Sequence, residues 1–168
     1  MGRDQQLRND RLVFYLQDVE RLDGELDAFL EMSNAKCALL VDKEGHLVTR
    51  RGEPLNTGSV ESIAALIAGS FAATREMARL LGEQEFSCLF HQGYRDSIQL
   101  QLLGNRTLLA ILFDDRTNLG LVRFYGQESA RNLEQILAEI ATREPAADAE
   151  GLSPQFNADA QAALDQLF

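Results

Sequence analysis

The sequence predicts an α+β fold in which helices pack on one antiparallel sheet, and three observations carry that prediction. Long segments with apolar residues at three- and four-residue intervals alternate with short strand-like runs. The runs come in groups of two and then three, joined by turn residues, as hairpins do; a parallel sheet would place a helix between each pair. The 168 residues, 45% of them apolar, suffice for one core with tails and are tight for two domains.

The first helix is written by Leu12, Leu16, Val19, Leu22, Leu26, Phe29 and Leu30, and Ser33-Asn34 ends it. CALLV (37–41) is a short apolar strand, DKEG (42–45) a turn, and HLVTR a second strand with a more polar face. RGEPLNTGS (51–59) is a loop by its Gly, Pro, Asn and Thr content. Ser59, with Glu61 in the first turn, opens a second helix that runs to about Leu81. EFSCLFH (85–91) is nearly all apolar, which suits a strand covered on both faces or lying at an interface. In SIQLQLL (97–103), Ile98, Leu100 and Leu102 fall on one side and Gln99 and Gln101 on the other. Gly104-Asn105 reads as a two-residue hairpin turn into TLLAILF (107–113), a central strand. The last long helix spans about 118–143, with Leu119, Val122, Leu133, Ile136, Leu137 and Ile140 on one face, and Pro145 closes it.

Residues 1–10 read as a flexible N-terminal segment and 11–143 as the domain. From Glu144 the chain has five acids and no Lys or Arg: an acidic linker, then a short helix capped at Asn157 that aligns Ala160, Ala163, Leu164, Leu167 and Phe168. At about eleven residues such a helix needs a surface to dock on.

The second helix, containing IAALIAGSFAATREMARLLG, is apolar almost all round, with nothing charged between Ile63 and Arg75. At ~100° per residue, Ile63, Ile67, Phe71, Thr74, Met77 and Leu81 share an arc expected to pack on the sheet. Roughly opposite lie Ala65, Ala68, Gly69, Ala72 and Glu76, a ridge of small side chains that another backbone can approach closely. The covering is another part of the chain, an identical helix from a second copy, or a partner protein. If the ridge is an interface, Ala68→Arg abolishes binding and leaves the fold intact.

The net charge of −10 argues against a nucleic-acid or anionic-membrane partner, which needs clustered Lys and Arg. The only lysines are Lys36 and Lys43, so no phosphate-binding Gly-Lys-Ser/Thr loop exists. The polar start MGRDQQLRND and apolar runs far shorter than the roughly 18–20 residues of a membrane span predict a soluble cytoplasmic protein. Cys37 and Cys88 lack metal-site spacing and read as two reduced, buried thiols. His46 and His91 sit in no nucleophile or zinc spacing, and Asp114-Asp115-Arg116 reads as a solvated strand-to-helix connection. No catalytic, cofactor or metal site is expected. A pocket near His91 and Asp114 is the one small-molecule alternative.

AALIAGSFAATREMARLLGEQEFSCLFHQG, followed by DSIQLQLLGNRTLLAILFDDRTNLGLVRFYGQESARNLEQI, resembles the Roadblock/dynein light chain family, in its bacterial MglB-like branch. The small-residue helix, LLGE-x-x-F, FH-x-G, FD-x-RT and LGLVR occur in the expected order, and the likeness spans about residues 12 to 143. It implies the order helix, two strands, helix, three strands, helix, with a five-stranded antiparallel sheet and helices on both faces. It further implies a homodimer, two copies of which bind one Ras-like GTPase of the MglA type in its GTP state. Members of that branch stimulate GTP hydrolysis without an arginine finger, GTP and Mg²⁺ being held by the GTPase, and so control cell polarity and motility, with a cell pole as a place of action. The facing helix would present Ala65, Ala68, Gly69, Ala72 and Glu76; the tail would dock through Leu164, Leu167 and Phe168. Some family members instead are scaffolds that bind a GTPase or polarity protein without stimulating hydrolysis.

Overall fold

The computed structural model describes residues 12–55 and 58–143. The chain divides into two units, Phe14–Ala138 and a second made of residues 1–13 and 139–168; the sheet, and its helices as far as Ala138, belong to the first. The predicted N-terminal segment, linker and tail helix lie outside the described residues.

The element order is α1 (Leu16–Ser33), β1 (Cys37–Asp42), β2 (Leu47–Gly52), α2 (Val60–Leu81), β3 (Cys88–Gln92), β4 (Ser97–Leu103), β5 (Thr107–Phe113) and α3 (Leu119–Thr142). The five strands form one antiparallel sheet in the order β2-β1-β5-β4-β3, so the hairpin β1-β2 and the meander β3-β4-β5 join through β1 and β5. This is the fold that the sequence and the family resemblance predict.

Several boundaries shift for local reasons. Helix α1 begins at Leu16, four residues after Leu12, because Tyr15 is extended and caps it: the buried Asp18 carboxylate accepts the Tyr15 N–H at 2.9 Å. It ends at Asn34, in the left-handed region at φ 59°. Strand β3 starts at Cys88 rather than Glu85 and is the sheet's edge, with Cys88, His91 and Gln92 exposed and Leu89 and Phe90 half-buried. Cys37 is the buried thiol that the sequence predicts; Cys88 is not. Leu103 pairs with Thr107, so the β4-β5 loop has three residues between the last paired positions, not two.

Period-two alternation sorts the core onto both sheet faces. Cys37, Leu39, Val41, Leu100, Leu108 and Ala110 pack with Ala64, Ile67, Ala68 and Phe71 of α2. The opposite face meets α1 and α3. There a Cβ on Gly126 of α3 would lie 3.6 Å from Ile111 Cδ1 and 4.0 Å from Phe29 Cε2 of α1. Arg51 of β2 donates to both Asp27 carboxylate oxygens at 2.8 Å and holds α1 on that face. Gln99 points the same way and is buried; its Oε1 has no partner among the described residues.

Candidate partner-binding surface

Helix α2 is well bounded. The Ser59 hydroxyl accepts the Ser62 N–H at 3.1 Å, and Gly82 closes the other end at φ 75° with its N–H on the Ala78 and Arg79 carbonyls. Its orientation on the sheet differs from the predicted one. The buried positions are Ala64, Ile67, Ala68, Phe71, Thr74 and Ala78. Met77 and Leu81, expected against the sheet, are 51% and 71% exposed, and Ala68, expected on the free ridge, is 7% exposed.

The helix is therefore turned by roughly 60° from the predicted phase. The cause is the close approach of the β1-β2 turn: a Cβ on Gly45, whose φ is +95°, would sit 3.0 Å from Ala65 Cα and 3.6 Å from Ala68 Cβ. A residue as small as alanine is needed beneath the helix there, and size alone did not distinguish an inward alanine from an outward one.

Of the predicted ridge, Ala65, Gly69, Ala72 and Glu76 are exposed, and Ala68 is in the core. Arg79 donates from Nε to both Glu76 carboxylate oxygens at 3.1 Å, which holds that carboxyl below its ordinary range. Leu164, Leu167 and Phe168 lie outside the described residues. The outward face that emerges was not singled out from the sequence: Leu66 and Leu80, both 70% exposed, and Met77 flank Gly69 and Ala73 along one side of the helix. The signal was present in the spacing 66, 69, 73, 77, 80, which follows one helix face. Apolar side chains of this size, in line and uncovered, make this face the candidate surface for another molecule.

Charged connections brace one end of the sheet. Arg116 donates to Glu53 at 2.6 Å and to Asp114 at 3.0 Å, joining the β2-α2 loop to the β5-α3 loop. Those bonds lower the pKa of both carboxyls and raise that of the guanidinium. Lys36 reaches Asp96 of the β3-β4 turn at 3.0 Å, and the Asn34 side chain donates to the Arg116 carbonyl at 3.1 Å. Beside them lies a cleft of about 270 Å³ lined by Lys36, Cys37, Glu53 and Asp96, among others; it includes neither His91 nor Asp114. Burial raises the Cys37 pKa, opposed by Arg50 Nη1 at 4.0 Å. At the β1-β2 turn, Asp42, Glu44 and His46 bring donor atoms within 4.8 Å of one another. One Asp42 oxygen there already accepts the Glu44 and His46 N–H groups. No helix among the described residues is long and apolar enough to cross a membrane.

An antiparallel sheet between α2 on one face and α1 with α3 on the other, with an apolar stripe left open on α2, defines the class: the chain belongs to the Roadblock/LC7 domain family, which matches residues 22–113. Within it, the structure is similar to Myxococcus xanthus MglB, with a TM-score of 0.72 and 35% identity over 80% of this chain and 99% of that one. It is also similar to the gliding protein MglB of Thermus thermophilus, with a TM-score of 0.69 and 34% identity over 76% and 96% of the two chains. An MglB described in a tetrameric arrangement gives 0.72 and 32% identity over 77% and 96%. No curated protein matches the sequence.

Proposed function

We propose that the protein is a homodimeric regulator that binds a Ras-like GTPase of the MglA type in its GTP state and stimulates GTP hydrolysis. The reading rests above all on the open apolar stripe of α2, in a chain similar to MglB over nearly all of that protein's length. Two copies engage one GTPase, which itself holds GTP and Mg²⁺. The exposed residues of α2, Ala65, Gly69, Ala72 and Glu76 with Leu66, Met77 and Leu80, are the ones offered to a second copy and to the GTPase. Edge strand β3, paired on one side only, offers the second copy a further place to join. The tail docks separately through Leu164, Leu167 and Phe168 and tunes affinity or nucleotide exchange. The biological output is control of polarity and motility, exercised in the cytoplasm and at a cell pole; one similar protein is described as a gliding protein.

The test is single-turnover GTP hydrolysis by the MglA-type GTPase of the same organism, with and without this protein. Gly69→Arg is the control: a Cβ there meets nothing within 4 Å, so the variant folds, whereas Ala68→Arg would force a charge into the core. Acceleration that is lost in Gly69→Arg supports the activator. Binding without acceleration makes the protein a scaffold, and no binding leaves the family membership alone standing.

A further inference from the structure

On the sheet face away from α2, helices α1 and α3 run antiparallel, with Glu25 near Asn132 and Phe29 near Gly126. Between them lies a cleft of about 210 Å³ whose walls include Ala28, Phe29, Met32 and Tyr125. Three features set it apart from ordinary packing. Ser129 lines the cleft and is 3% exposed, yet its hydroxyl has no hydrogen-bond partner. Large apolar side chains stand uncovered on the two helices, Met32 at 60% and Phe124 at 67% exposed, with Phe124 set edge-on against Tyr125 at 5.1 Å. The rim is acidic: Glu25 is tied to Asn132 Nδ2 at 3.1 Å, and Glu128 has no hydrogen-bond or ion-pair partner among the described residues.

We propose that this cleft docks a segment of a partner protein that carries an apolar anchor residue flanked by lysines or arginines. The anchor enters between Phe29, Met32 and Tyr125, a polar group of the segment satisfies the Ser129 hydroxyl, and the flanking cations meet Glu25 and Glu128. Charge decides among occupants. The charged residues lining the cleft are Glu25 and Glu128, with no Lys or Arg among its lining, so a second copy presenting the same face would set carboxylates against carboxylates. An anionic lipid surface is repelled for the same reason. Because α2 lies on the other side of the sheet, a segment seated here leaves the α2 stripe free, and one protomer can hold two partners at once.

The probe is the fluorescein-labelled synthetic peptide KAKKFLKKAK, titrated with the full-length protein and followed by anisotropy. Saturable binding is expected, weakened about tenfold by Ala28→Trp, which fills the cleft from an exposed position, and about tenfold by Glu128→Lys. Glu61→Lys, which makes the same change in net charge on α2, and Leu66→Ser leave it unchanged, so the result is independent of the reading of α2. Should Ala28→Trp not fold, Glu128→Lys against Glu61→Lys decides. Absence of saturable binding overturns the proposal. So does equal weakening by Glu61→Lys, which would reduce the effect to general attraction to an acidic protein, and so does indifference to a folded Ala28→Trp.

Discussion

Leu66→Ser separates folding from association, and the structure sets the size of both effects. Leu66 is 70% exposed, so its own protomer covers roughly 0.3 of it. Full burial of a leucine side chain is worth about 1.5–3 kcal/mol, which leaves ~0.5–0.9 kcal/mol at stake in the protomer and ~1–2 kcal/mol for whatever covers the rest. Urea unfolding should therefore show a small loss that does not depend on protein concentration. Association with the proposed second copy or GTPase should weaken by about 5- to 30-fold. Ala68→Leu is the counterpart two positions on: at 7% exposure, beneath the β1-β2 turn, the added carbons overpack the core at a cost of about 1–3 kcal/mol at every concentration. The assay is urea denaturation at two protein concentrations, paired with sedimentation velocity. A concentration-independent loss of ~3 kcal/mol or more for Leu66→Ser would mean that the side chain is covered inside the protomer. The outward stripe would then be refuted.

Gln99→Met should leave stability unchanged or raise it by up to about 1 kcal/mol, since it removes a buried amide oxygen that has no partner; a clear loss in urea would show that the amide is paired. In Arg116→Gln, Glu53 and Asp114 should both titrate closer to the ordinary carboxylate range, followed by carbon NMR of the carboxyls, and no movement would rule out the guanidinium as the cause of their lowered values. The sign follows from linkage: both folded-state pKa values are depressed, so the contribution is present above the ordinary carboxylate range near pH ~4 and is lost as pH falls through the depressed values. The wild-type protein should lose this increment on acidification and the variant should lack it throughout.

The strands and helix spans were legible because alternation and three-four spacing report burial of whole faces. The phase of α2 was not. A helix apolar all round gives no polar marker of its outward side, and the inward Ala68 lies beneath a turn contributed by the β1-β2 hairpin. Cys88 was misplaced too: expected buried, it is exposed because β3 is the edge strand, an order set by pairing between distant segments. Both failures concern contacts between segments distant in sequence, which local periodicity does not encode. The cleft between α1 and α3 was hidden for the same reason, its walls being about a hundred residues apart in the chain.

Two of the motifs that carry the family likeness, FH-x-G and FD-x-RT, are devices of chain geometry. In FH-x-G, a Cβ on Gly93 would collide with the Asp96 carbonyl, so glycine is what permits the tight β3-β4 turn. In FD-x-RT, Asp114 accepts the Arg116 N–H, the Thr117 N–H donates to the Asp114 carbonyl, and Arg116 ties in the loop that leads to α2. These residues secure the end of the sheet from which α2 departs; they do not lie on its outward face. Under the proposed function, activator and scaffold can therefore share these two motifs and differ on the exposed stripe of Leu66, Gly69, Ala73, Met77 and Leu80. If the proposed function holds, substitution there should change the partner's GTP hydrolysis with the fold intact, whereas substitution in the two shared motifs should lower stability first and any effect on the partner only as a consequence.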